Sequence, residues 1–100
     1  MRSEVLSIRS RALKPIETRI EIAENEIVTQ EKTLEGLNRE MQEASQSGDG
    51  QKISEISQAI HRCQTIIDNA FDALEDLTAS LKAQEERFQK QLAELENQTS

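Results

Sequence analysis

Apolar residues recur in steps of seven along two stretches of this chain, on either side of the small polar segment Ser47-Gly48-Asp49-Gly50. In the first stretch Leu13, Ile20, Ile27, Leu34 and Met41 alternate with Ile16, Ala23, Gln30, Leu37 and Ala44. In the second, Ile53, Ile60, Ile67, Leu74, Leu81, Phe88 and Leu95 alternate with Ile56, Cys63, Ala70, Leu77, Gln84 and Gln91. Steps of three and four put each set on one face of a helix, as the a and d positions of a heptad repeat. Sustained for about four heptads or more, such repeats predict a coiled coil.

The direction of the second helix follows from reach. A helix from Ile16 to Ala44 is roughly 40 Å long at about 1.5 Å per residue, and a connection of about eight residues spans at most ~29 Å. The chain cannot return to its starting end, so the helices are expected to run antiparallel. Folding at Gly48 pairs residues whose numbers sum to 97, such as Ala44 with Ile53, Leu34 with Cys63, Gln30 with Ile67 and Ile16 with Leu81. Each a position then faces a d position. Ala44, Ala70 and Ala23 each meet a large aliphatic residue, which keeps the volume of those layers level.

Pro15 punctuates the first helix, because proline lacks an N–H and its ring crowds the carbonyl four residues earlier, that of Arg11. A helix starting near Lys14 would carry Pro15 in its first turn. Ser3 to Leu13 then reads as a separate short helix with Val5, Leu6 and Ile8 as its apolar residues, and the sum of 97 sets Leu6 beside Gln91 and Arg9 beside Phe88. The predicted fold is all-α: an antiparallel two-helix coiled-coil hairpin with a short N-terminal helical segment before Pro15. Its parts are a lead-in over 1–14 and a hairpin over 15–100, with helices at about 15–45 and 52–96 and a tip at about 46–51. Gly48 suits a helix stop and Asp49 an N-cap.

Composition narrows the picture further. One hundred residues with two Phe and neither Trp nor Tyr bury little beyond one aliphatic seam, so a globular core is not expected. The net charge of −7 argues against duplex nucleic acid covering the whole surface. The charge is uneven, however: over residues 1–14 Arg2, Arg9, Arg11 and Lys14 stand against Glu4 alone, about +3, which leaves about −10 for the rest. This end is either an ordinary solvated helix terminus or a contact for RNA, DNA or an acidic surface. No apolar run approaches the ~18 residues of a membrane span and no signal-peptide core follows Met1. With a single cysteine, Cys63, at a d position, a reducing, cytoplasmic setting and no membrane are expected.

Candidate chemistry is sparse. No GxxxxGK[ST] loop is present, and Gly48-Asp49-Gly50 is too short to cradle a phosphate. His61 and Cys63 lie two apart, about 200° around a helix, and cannot share one metal ion. Asp72, Glu75 and Asp76 on a slim hairpin have no cleft in which to become an acid/base pair. No catalytic, cofactor-binding or metal-ligating residue is assigned, and the chain is not expected to be an enzyme. Val28, Ile66 and Phe71 are apolar but off the seam. Ile66 and Phe71 flank the Ile67 and Ala70 layers, and either widen the core or form a docking or homodimer contact.

The order of features resembles a known family. A basic lead-in with Arg9 and Arg11 precedes Ala12-Leu13-Lys14-Pro15-Ile16-Glu17. A heptad helix follows, then a tip with Gly and Asp, then Ile53-Ser54-Glu55-Ile56 opening a second helix that carries Phe71-Asp72-Ala73-Leu74-Glu75-Asp76-Leu77. Over about residues 2–90 this is similar to the C-terminal coiled-coil domain of ABC-F ATPases of the Uup and YheS type. In that family the hairpin begins with a basic stretch and a Leu-x-Pro-Leu-like phrase, and often has Trp where Leu74 stands here. The resemblance implies a fragment of a larger cytoplasmic ATPase that binds ATP and magnesium in two upstream cassettes and acts on ribosomes or in DNA metabolism. This chain would be its non-catalytic interaction arm, holding no cofactor and contacting ribosome, RNA or DNA through Arg2, Arg9, Arg11 and Lys14. The alternative is a freestanding adaptor that dimerises into a four-helix bundle.

Overall fold

The computed structural model describes residues 2–99 and is an all-α helical hairpin. Helix α1 spans Arg2–Ser47 and helix α2 spans Gly50–Thr99, and there is no strand among the described residues. Two residues separate the helices, fewer than the tip of about 46–51 expected from composition. Gly48 takes φ +70°, the left-handed conformation that glycine adopts without a Cβ penalty. The N–H of Asp49 donates to the carbonyl of Ala44 at 3.2 Å, the six-to-one bond of a Schellman stop. Asp49 then opens α2: its carboxylate accepts the N–H of Lys52 at 3.2 Å, and its carbonyl accepts that of Ile53 at 3.0 Å. The hydroxyl of Ser47 donates to the carbonyls of Glu43 at 3.1 Å and Ala44 at 3.2 Å. Orphan groups at both helix ends thus find partners within a few residues, and so the helices run up to the turn itself.

The chain divides into two compact units. The unit containing the turn, Ala23–Asp72, buries Ala23, Ile27, Ala44, Ile56, Cys63 and Ala70. The remaining heptad positions of this unit, from Gln30 to Met41 and from Ile53 to Ile67, are half-buried. The seam expected from the repeat is therefore the buried face. Gln30, its polar member, turns its amide along its own helix and donates to Oε1 of Glu26 at 3.4 Å. No buried side-chain polar atom among the described residues lacks a hydrogen-bond partner.

The other unit comprises Met1–Ile22 and Ala73–Ser100. Leu13, 2% exposed, and Phe88 are its buried residues, with Ile16, Ile20, Leu74, Leu77 and Leu81 half-buried. Ion pairs Arg2–Glu96 and Arg9–Glu85 hold the first turns of α1 beside the last turns of α2, which makes the pairing antiparallel.

Two expectations change in this unit. The segment before Pro15 is helical but not separate, since α1 passes through Pro15 without interruption. Pro15 and Arg11 are both exposed, while Leu13 and Ile16 on either side of the ring anchor the helix through the buried face. Further along, Gln91 is exposed and Leu92 is half-buried in its place. A straight helix of 3.6 residues per turn drifts by about 20° per heptad. By the end of α2 the d position has turned away from the seam and the residue after it has turned in, while Phe88 and Leu95 keep their places. Leu6 accordingly shares a surface depression with Leu92, not with Gln91, alongside Arg9, Glu85 and Gln89.

Candidate functional site

The four cations of the lead-in separate into two pairs. Arg2 and Arg9 face α2. A guanidinium nitrogen of Arg2 lies 3.2 Å from Oε1 of Glu96, and one of Arg9 lies 4.0 Å from Oε1 of Glu85. Exposed pairs of this kind contribute about 0–1 kcal/mol, yet they give both cations an anionic neighbour within the chain. Arg9 also occupies a seam position, is half-buried, and lines the depression shared with Leu6 and Leu92.

Arg11 and Lys14 point elsewhere. With Pro15, Thr18, Arg19 and Ile22 they line an open depression of about 540 Å³ built on α1 alone. These residues follow one another at helical spacing, and all six are exposed. Pro15 and Ile22 each stand two residues beyond a seam residue, Leu13 and Ile20, which is about 200° around the helix. The depression therefore lies on the face turned away from the seam. Nη2 of Arg11 donates to the hydroxyl of Ser7 at 3.3 Å, one turn earlier. Among the described residues no carboxylate lies within ion-pair distance of Arg11, Lys14 or Arg19. Ile22 is 63% exposed, and Ile8, one heptad before Pro15, is 55% exposed.

Of the four cations expected to act together, the structure brings Arg11 and Lys14 to one face and turns Arg2 and Arg9 to another. Arg19 joins the first pair. It escaped the sequence reading because a helix break at Pro15 would have put it on a different element. On a helix that runs through Pro15, Arg11, Pro15 and Arg19 form a single row at four-residue intervals, and that spacing was the available signal.

The two apolar residues offered as core edge or docking contact lie one on each side of the buried face. Ile66 and Phe71 are both exposed but five residues apart, about 140° around α2, and so flank the seam on opposite sides. His61 is exposed, with its carbonyl accepting the hydroxyl of Thr65 at 3.0 Å, and Cys63 is buried at its d position. No group of three or more His, Cys, Asp or Glu is gathered as a metal site among the described residues. Over the same residues no helix is long and apolar enough to cross a membrane.

Comparison of the chain with models of protein families, with curated proteins and with solved structures finds no match.

Proposed function

We propose that this chain is a non-catalytic interaction arm, resembling the C-terminal hairpin of soluble ABC-F ATP-binding proteins that act on ribosomes or nucleic acid in the cytoplasm. ATP and magnesium would be handled by cassettes outside this chain, and the arm would supply contacts alone. The observation that supports this reading is the excess of cations in the first turns of α1 in a chain whose charge is otherwise acidic. Arg11, Lys14 and Arg19 share one exposed face with no carboxylate at ion-pair distance among the described residues, while the apolar repeat is spent on holding the two helices together. A seam without a cleft suits reach and contact better than chemistry.

The test is association of the chain with ribosomes and with duplex DNA, followed by fluorescence anisotropy. Binding to at least one is expected to be weak and salt-sensitive. Arg11→Gln with Lys14→Gln should weaken it, whereas Arg62→Gln with Arg87→Gln on α2 should leave it unchanged. No association with either at about 50 mM salt, where charge contacts are strongest, would sink the reading. A second reading, an adaptor that dimerises into a four-helix bundle, is favoured by Val28 and Phe71, each 50% exposed in the unit containing the turn. Sedimentation equilibrium distinguishes it, since this reading requires a dimer that Phe71→Ser dissociates.

A further inference from the structure

The outward face of α1 carries a second, shorter repeat of its own. Ile8, Pro15 and Ile22 are spaced by seven residues, on the side of the helix where a two-helix coiled coil normally shows polar residues to solvent. Continued in steps of seven the row reaches Thr29, Gly36 and Glu43, so the apolar run stops at Ile22. It covers two heptads, about 21 Å of helix. Arg11, Lys14 and Arg19 flank this row and line one depression with Pro15 and Ile22. Pro15 adds a backbone acceptor on the same face, because the carbonyl of Arg11 has no N–H to receive from a proline.

From this we infer that the face of Ile8, Arg11, Lys14, Pro15, Arg19 and Ile22 docks an acidic amphipathic helix of a partner protein, lying along α1 over about three turns or more. The inference deepens the reading of the chain as an interaction arm, on which it rests, by naming the chemistry of what the arm holds. Phosphate recognition would explain the cations but not three apolar side chains in heptad register with one another. A helix laid along a groove reads such spacing directly, through anchors at i, i+3, i+4 and i+7. The sign of the partner follows from the three cations, which have no carboxylate at ion-pair distance among the described residues. A second copy of this face is disfavoured on the same ground. Two copies packed antiparallel about Pro15 would set Arg11 of one against Arg19 of the other, and like charges in contact destabilise an interface.

The test uses the whole chain and a labelled synthetic helix of about three heptads with Leu at a and d and Glu at e and g. Saturable binding by anisotropy is expected, weakening as salt rises from about 50 to 500 mM. Ile8→Ser with Ile22→Ser should weaken it by about tenfold or more. Arg11→Glu with Arg19→Glu should abolish it and confer binding to a matching peptide with Lys at e and g. These side chains are exposed, so unchanged melting curves are expected and serve as the check on folding. Val28→Ser with Phe71→Ser, in the other unit, should leave binding unchanged. Failure of the Glu peptide to saturate the chain would overturn the inference while leaving ribosome association to be judged on its own. So would equal binding of a Glu peptide whose leucines are replaced by serine. The third overturning outcome is displacement by naked duplex RNA that binds more tightly and ignores the Ile8→Ser and Ile22→Ser changes, because the face would then be a phosphate site.

Discussion

Replacing Pro15 with alanine separates a helix that passes through this position from one that begins there, because the two arrangements predict opposite signs. In the structure Pro15 sits thirteen residues inside α1, at a site where every neighbour is helical. Alanine would restore the N–H to the carbonyl of Arg11 and remove the clash of the ring with the preceding turn. Proline in a helix interior is about 3 kcal/mol less favourable than alanine, and Pro15 is exposed, so little packing is lost with the ring. For a domain of this length about 1 kcal/mol shifts Tm by roughly 4–8 °C, so the melting temperature should rise by roughly 12–24 °C. Helicity at low temperature should hardly change, since the helix is already continuous. If instead the helix began at Pro15, the ring would be preorganised for the first turn, and alanine would lose about 0.4–1 kcal/mol through a freer unfolded chain. Thermal melts of the two proteins by circular dichroism at matched concentration decide between them. A Tm that is unchanged or lowered would refute the continuous helix, and with it the single row of Arg11, Pro15 and Arg19.

Gly48→Ala should lose about 1–2 kcal/mol, read from urea midpoints, because a Cβ there meets nothing within 4 Å and the cost is backbone strain alone. Gly50→Ala, with ordinary backbone and open space, is the neutral control. Ile56→Asp, which puts a carboxylate at a position 5% exposed, should cost about 3 kcal/mol or more. Val28→Asp, at a half-exposed position, should cost less than about 1 kcal/mol; equal losses of helicity on heating would show that the seam is misplaced. Gln30→Leu should raise the urea midpoint, since it replaces a half-buried amide whose bond to Glu26 is long at 3.4 Å. A lower midpoint would mean that the amide contributes more in the seam than leucine would.

The seam was legible because burial repeats with the helix. From Leu13 to Ala44, and again from Ile53 to Phe88, every position assigned to it is buried or half-buried. Gly48 and Asp49 were legible as stop and cap because each has a local mechanism. What escaped depends on phase carried over distance. The exchange of Gln91 for Leu92 arises from drift accumulated over several heptads. The pairing of Arg2 with Glu96 and of Arg9 with Glu85 depends on that same phase, which a count of charges over residues 1–14 does not contain. At the candidate site Arg11 and Lys14 were identified from charge alone. Arg19, Ile8 and Ile22 were passed over because local proline chemistry argued for a break that tertiary packing of Leu13 and Ile16 overrides.

A two-residue turn also dictates the order in which the contacts of this chain become affordable in entropy. Closing the loop between Ser47 and Gly50 orders almost nothing, and each further layer then adds only the few residues that extend the pair already formed. The heptads nearest the turn are therefore local contacts in the kinetic sense, and folding is expected to proceed like a zip from Gly48 outwards. Arg2 and Glu96, almost the full chain apart in sequence, can meet only when that process is complete. Opening follows the reverse order, so amide exchange is expected to be slowest around Ile56 and Cys63 and fastest at the ends of the chain. The basic first turns of α1 are thus expected to be among the last parts to form and the first to yield, and a partner bound to α1 there would hold the zip shut.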